Sequence, residues 1–327
     1  MRTLNIIHLG PGRVGKTFLD QLTTNKVKIE KQYNIRLKIL AVFDSKSNDI
    51  TVKERITAAP LPLVFIDTTA SDKTTTAIGK ALRKGGFVVM SNKKPLASNQ
   101  KTFDSLFRYR NKLFFETTVG AGLPIINTIR ELIESGDEIL EIQGCFSGTL
   151  GYIFSLLQKG RKFSQAVFEA KEKGFTEPDP RDDLSGLDVA RKALILARLI
   201  DSKISLEDIK ITPLFPQKLS NLSVNDFMKK ITLLDKKYNK MMNRSKKNKK
   251  TLRFVAKVNK RSCSVGLTEA DLESDVGQLD GPDNIAVIKT KNYSKNPLVI
   301  KGPGAGPQVT AGGIFGDLLR VIKIVSL

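Results

Sequence analysis

With 327 residues, 40% of them hydrophobic, the chain can bury one large core or two ordinary ones, and two domains fit its length better. The 54 Lys+Arg against 33 Asp+Glu give a formal charge of +21, which permits salt-dependent adhesion to polyanions, yet no recognisable nucleic-acid module accompanies it. No apolar stretch approaches the roughly 20 residues of a membrane span, the run after Met1 is too short for a signal peptide, and two distant cysteines, Cys145 and Cys263, argue against a disulfide or zinc framework. The expectation is a cytoplasmic globular chain with no membrane and no specific nucleic acid among its partners.

Residues 4–9 form a short apolar run typical of a buried parallel strand. It leads into Gly10-Pro11-Gly12-Arg13-Val14-Gly15, which fits G-x-G-x-x-G; a helix over 16–22 and a strand over 37–43 ending at Asp44 follow. The fingerprint therefore sits at the strand-to-helix turn of a βαβ unit. Gly10 permits the tight turn, Gly12 lets amides approach a pyrophosphate, and Gly15 lets helix and strand pack, while the helix N-terminus supplies the positive dipole end. An ordinary glycine turn in another α/β protein is the competing reading.

The alternation continues with strands over 63–66, 87–90 and 113–115 and helices over 73–83 and 99–109, which predicts a doubly wound sheet. The strand ends carry Asp67-Thr68-Thr69 and Ser91-Asn92-Lys93-Lys94-Pro95, where ligands gather in such sheets. Lys93 is a candidate ligand contact or a plain loop lysine. Residues 116–123, ETTVGAGL, close a nucleotide-binding domain over 1–123, and Pro124 opens a helix. A strand over 139–146 turns at 147–151, SGTLG, into an apolar helix.

Residues 174–192, GFTEPDPRDDLSGLDVARK, are densely acidic in a basic chain. Pro178 and Pro180 predict a rigid, extended loop carrying Glu177, Asp179 and Arg181-Asp182-Asp183. Ser185 followed by Asp188 resembles a capping box, with a helix over 187–200 on which Asp188 and Lys192 are one turn apart. An amine-bearing substrate would satisfy these carboxylates while the lysine exchanges a proton with a hydroxyl; a surface helix with an ordinary ion pair is the plainer alternative. The basic tract 235–250 reads as a solvated helix end or loop. Strands over 251–258, 263–267 and 285–290 predict an α+β domain over 124–305, and a final helix in 306–327, with Thr310 as a possible cap, is expected to return to the first domain.

GPGRVG, SNKKPLA, ETTVGAGLPIINT, FSGTLGYIF, GFTEPDPRDDLSGLDVARK and GAGPQVTAGGIFGDLLRV, in this order over nearly the whole chain, resemble homoserine dehydrogenase. The resemblance implies a Rossmann-type domain with a dimerisation and catalytic α/β domain, a homodimer, and reversible NAD(P)-dependent interconversion of L-homoserine and L-aspartate 4-semialdehyde toward threonine and methionine. By motif it implies Lys192 as general acid/base with Asp188 beside it, and Lys93 as the second active-site lysine. Glu177 and Asp183 then bind the substrate ammonium, with Thr149 and Phe175 in the same pocket. Thr68, Thr69, Val14 and Gly306 join the cofactor site. Glu116 with the carbonyls of Val119, Ala121 and Leu123 resembles a structural sodium or potassium site. Gly151 stands where Asn or Ser is expected, and Phe175 where Tyr is usual.

Asp44 suits the ribose hydroxyls of NAD, whereas Arg13 and Lys46 suit a 2′-phosphate, so both cofactors are expected with NADP favoured. Only a closing helix follows the catalytic segments, so threonine inhibition through an appended sensing domain is not expected. Two other functions compete: oxidation through a covalent adduct on Cys145, and a nucleotide-sensing or nucleic-acid-binding protein without catalysis. Cys145 lies in an apolar strand with no histidine to activate it.

Overall fold

The computed structural model describes residues 1–44 and 47–327, so Lys46 lies outside the described residues. The chain divides into two compact units, Met1–Asn127 with Gly306–Leu327, and Thr128–Ala305.

In the first unit, β1 (Arg2–Leu9), β2 (Ile35–Phe43), β3 (Leu63–Asp67), β4 (Phe87–Met90) and β5 (Leu113–Phe114) form a parallel sheet in the order β2-β1-β3-β4-β5. β3 and β4 are buried throughout, which is why they read as unbroken apolar runs. Because the chain leaves β1 to one side for β2 and to the other for β3, the strand order reverses at β1, the place where such sheets open a ligand crevice. Helices α1 (Arg13–Tyr33), α2 (Asp49–Ala58), α3 (Thr75–Arg83) and α4 (Gln100–Phe107) connect the strands.

Helix α1 runs well past the expected 16–22, since Phe18, Leu22 and Ile29 keep one apolar face turned to the core until Asn34, at φ 48, ends it. Helix α2 was not anticipated; it is weakly amphipathic, and the Asn48 side chain caps it by accepting from the Ile50 amide at 2.9 Å. The strand expected over 113–115 stops at Phe114, because Glu116–Thr118 tightens into a 3₁₀ turn. The closing helix, Pro307–Ser326, places Ile314, Leu318, Val321 and Val325 in the same apolar core as Phe18 and Leu22. It begins at Gly306, and Thr310 lies one turn inside it, donating back to the Gly306 carbonyl at 2.8 Å in place of capping.

The second unit holds a six-stranded sheet of β6 (Ile139–Cys145), β7 (Lys210–Ile211), β8 (Lys250–Val258), β9 (Cys263–Asp271), β10 (Asp283–Thr290) and β11 (Leu298–Pro303), in the order β11-β10-β6-β8-β9-β7. Its pairs are antiparallel except β7 with β9. Helix α5 (Ile125–Glu134) straddles the division between the units, and α6 (Gly148–Gln158), α7 (Phe163–Glu172), α8 (Pro180–Leu184), α9 (Leu187–Leu199), α10 (Val224–Lys230) and α11 (Asp235–Lys247) follow. Helices α6, α9 and α11 pack on β8.

Two local expectations fail. Arg181, Asp182 and Asp183 lie in α8, not in an extended loop: Pro180 takes the first helical position, where its missing donor does no harm, and Asp179 caps by accepting from the Arg181 amide at 3.0 Å. Ser185 is not the cap of α9 either; Gly186, at φ 75, occupies that position. Most of the basic tract, 235–247, is one amphipathic helix, α11, whose Tyr238, Met242 and Ser245 are buried while most of its lysines face outward; Lys250 opens β8.

Candidate active site

At the crevice of the first unit, Gly10 adopts φ 98 directly after β1, a conformation that favours glycine. A Cβ on Gly15 would stand 2.8 Å from the Thr68 hydroxyl and 2.9 Å from His8, so only glycine lets α1 approach the loop this closely. Nothing lies within 4 Å of a Cβ on Gly12, which faces open space. Lys16 N–H bonds Gly12, while the amides of the first turn of α1 have the orientation that receives an anion. Val14 is half-buried and Arg13 exposed at this end.

His8, buried in β1, organises this loop. The Thr68 hydroxyl donates its single proton to the Gly10 carbonyl at 2.5 Å, so His8 Nε2, 2.8 Å away, must be the donor to Thr68. Burial pushes the His8 pKa down to about 4, which keeps the ring neutral with the proton on Nε2. Thr69 donates to Asp67 Oδ1 at 2.7 Å, and the Asn92 amide donates to Asp67 Oδ2 at 3.0 Å and to Ser71 O at 2.6 Å. The hydroxyls of Thr68 and Thr69, expected as cofactor contacts, thus tie strand ends together while lining the crevice. Asn92 was visible only as a polar residue after an apolar run.

A cavity of about 850 Å³ opens here, lined by Gly10, Pro11, Gly12, Asp44, Thr68, Thr69 and Lys73 among others. Its size suits a substantial part of a dinucleotide. Asp44 is exposed at the end of β2, and Ser47 Oγ donates to its Oδ1 at 3.1 Å. Lys93 is half-buried beyond β4, and its carbonyl accepts from Ala97. Gly306, at φ 118, forms the N-cap of the closing helix.

Glu116 is buried in the same unit. One carboxylate oxygen accepts from Ile126 N–H at 2.7 Å, and the other from Asn127 N–H at 3.1 Å and from the Asn127 side chain. Asp317 accepts from Glu116 N–H at 2.9 Å, and Arg320 lies 3.2 Å from Asp317. Burial, then the Asp317 charge, push the Glu116 carboxyl up to about 7. Val119, Ala121 and Leu123 share the turn that follows, although the Leu123 carbonyl already accepts from Ile125 N–H at 2.8 Å. Two buried carboxyls, Glu116 and Asp317, thus lie together with one partly exposed arginine, an excess of negative charge that a monovalent cation would offset.

In the second unit α9 brings Asp188 and Lys192 onto one face. Lys192 Nζ lies 2.9 Å from Asp188 Oδ2 and donates to the Phe146 carbonyl at 2.6 Å, so two of its three N–H bonds have fixed acceptors. Phe146 acts through its backbone, which no side-chain pattern could have announced. Asp183 accepts from Glu177 N–H at 2.9 Å, and Thr149, in the first turn of α6, donates to the Phe175 carbonyl at 2.6 Å. Burial raises the Asp183 carboxyl above its ordinary range; the Glu177 amide opposes that, and the charges of Glu177 and Asp188 add to it. The cluster therefore carries excess negative charge beside one held ammonium.

Phe175 is 40% exposed and its ring packs on Tyr152, with centroids 4.7 Å apart. A Cβ on Gly151 would stand 2.9 Å from the Gly281 carbonyl, which explains why the expected Asn or Ser is absent. Cys145 is buried, and desolvation pushes its thiol up to about 12, so a covalent route through it has no thiolate to use. Among the described residues no helix is long and apolar enough to cross a membrane.

A family model described as homoserine dehydrogenase matches residues 124–319. The chain is 36% identical to the homoserine dehydrogenase of Saccharomyces cerevisiae, over 98% of this chain and 99% of that one. It is 40% identical to the chloroplastic bifunctional aspartokinase/homoserine dehydrogenase 2 of Arabidopsis thaliana over 99% of its own length, and spans 39% of that larger protein. A solved structure from Archaeoglobus fulgidus, provisionally assigned to homoserine dehydrogenase, superposes with a TM-score of 0.80 at 27% identity, covering 98% of this chain and 99% of that one.

Proposed function

The chain belongs to the homoserine dehydrogenase family, and from that premise we propose that it interconverts L-homoserine and L-aspartate 4-semialdehyde, using NADP in preference to NAD. The observation that carries the proposal is the Lys192 ammonium held by Asp188 and the Phe146 carbonyl beside the carboxylates of Asp183 and Glu177. In the oxidative direction Glu177 and Asp183 hold the substrate ammonium, and Lys192 as the neutral amine takes the hydroxyl proton and becomes the ammonium; in the reductive direction the ammonium gives that proton to the carbonyl oxygen. Asp188 and Phe146 fix the lysine nitrogen so that its remaining position faces the substrate. Thr149 and the Phe175 backbone border the same pocket.

A bound nicotinamide dinucleotide supplies the hydride acceptor. The glycine loop and the start of α1 hold its pyrophosphate, with Arg13 toward a 2′-phosphate and Asp44 toward the ribose. Lys93 and Gly306 complete the site in this reading. Glu116, with the carbonyls of Val119, Ala121 and Leu123, takes a structural sodium or potassium ion. The working form is a cytoplasmic homodimer.

Mixing the protein with NADPH and L-aspartate 4-semialdehyde and following nicotinamide absorbance tests the activity. Steady turnover is the expected result. Nucleotide binding without turnover would leave a nucleotide-binding protein and defeat the proposal.

A further inference from the structure

Asn284 lies on β10 and is fully buried, yet among the described residues neither its Oδ1 nor its Nδ2 has a hydrogen-bond partner. Leaving a whole carboxamide unpaired in an interior is unfavourable, and each unmet polar atom weighs on stability about as much as a lost hydrogen bond. The place of this residue gives it a use. Ile285 is opposite Cys145 in the antiparallel pair of β10 and β6, which sets Asn284 next to the following residue, Phe146, whose carbonyl holds Lys192.

Two glycines bring further backbone to the same place. A Cβ on Gly304 would fall on the Asn284 carboxamide, so the backbone of a residue without a side chain lies directly over this amide. A Cβ on Gly148, in the first turn of α6, would stand 3.0 Å from the Pro282 carbonyl and 3.8 Å from Ala305. The start of α6 that carries Thr149, the end of β6 that anchors Lys192, and the 304–305 segment therefore converge around Asn284, all within the second unit.

We infer that Asn284 is a substrate-binding residue, whose side-chain amide donates to the α-carboxylate of the amino-acid substrate once Gly304 moves off it. The inference rests on the proposed function and adds a contact to it. Glu177, Asp183 and Asp188 suit the substrate ammonium but repel its carboxylate, and Lys192 is committed to the proton. A neutral donor such as Asn284 meets the anionic end without placing a second cation beside that lysine.

Steady-state kinetics and thermal unfolding of Asn284→Leu test this. The homoserine KM should rise by about 10- to 100-fold, the range of one hydrogen bond to a charged group, with the NADP KM unchanged. The unfolding midpoint of the free protein should stay level or rise, since leucine removes an unpaired buried amide. An unchanged homoserine KM overturns the assignment, and so does a KM rise accompanied by a lower midpoint and a matching rise in the NADP KM. Asn284→Ala, smaller than the original and without a donor, carries the same test if the leucine variant does not fold. A wild type that does not oxidise homoserine defeats the proposed function itself, whereas an active wild type with an insensitive variant defeats only the role of Asn284.

Discussion

The Lys192 ammonium donates to the Phe146 carbonyl at 2.6 Å, which fixes a helix side chain to the end of a strand. With Asp188 at 2.9 Å on the same nitrogen, the lysine is positioned before substrate arrives. Removing a positioned acid/base group typically lowers rate by about 10²- to 10⁴-fold, so Lys192→Ala should lower kcat by that order and leave NADPH binding intact, as read by single-turnover kinetics and fluorescence titration. Near-normal kcat across pH would return the Asp188–Lys192 pair to a structural ion pair and make Lys93 the acid/base candidate.

The His8–Thr68–Gly10 chain predicts a different effect. Thr68→Val keeps the shape but strands a buried imidazole N–H, paired at 2.8 Å, and takes one of two donors from the Gly10 carbonyl, which keeps the Gly12 amide. Stability should fall by about 1–3 kcal/mol, and the cofactor KM should rise while the homoserine KM stays level. Equal sensitivity of both KM values would show that Thr68 supports the whole fold and not the nucleotide loop.

Cofactor choice rests on Arg13, exposed at the first residue of α1, while Asp44 is engaged by Ser47. NADP should give the higher kcat/KM. Arg13→Ala should lower its advantage over NAD by about tenfold, the loss of one charge-assisted hydrogen bond. A ratio that does not change on substitution removes Arg13 from the argument.

The parallel sheet and its glycine loop were legible because β3 and β4 are buried on both faces and leave unbroken apolar runs ending at Asp67 and Ser91, and because β1, apolar from Leu4 onward apart from Asn5 and His8, ends at Gly10. Lys192 and Asp188 were legible because helical spacing alone puts them together. What the sequence hid falls into two kinds. Helix α2 and strand β11 have weak or mixed patterns at exposed edges, so periodicity had little to report. The partners of the site residues, the Phe146 carbonyl for Lys192, His8 for Thr68 and Asp317 for Glu116, are brought in by tertiary packing, and no local spacing encodes them. The α8 misreading has another cause: two prolines argue for an extended chain, yet the second is equally at home opening a helix.

Glu116 gives a pH dependence whose sign can be worked out. Its carboxyl is raised from an ordinary value of 4.5 to about 7, chiefly by burial and then by Asp317, so ionising it is harder in the folded protein than in the unfolded one. Its contribution to stability is therefore full below pH 4.5 and is lost as pH rises through about 7, by on the order of 3 kcal/mol at most. His8 acts in the opposite direction: its pKa is lowered from 6.5 to about 4, so its contribution is present above pH 6.5 and is lost as pH falls toward 4. The two overlap, and only the difference between wild type and Glu116→Gln isolates the carboxyl. In sodium- and potassium-free buffer, the unfolding midpoint of wild type should fall relative to that of Glu116→Gln between about pH 5 and pH 8. Adding sodium or potassium at pH 8 should recover part of the wild-type loss, because a cation favours the ionised carboxylate, and should do nothing for the glutamine variant. Parallel pH curves for the two proteins would remove the titration of Glu116 from the account, and a cation response that survives in Glu116→Gln would place the ion elsewhere.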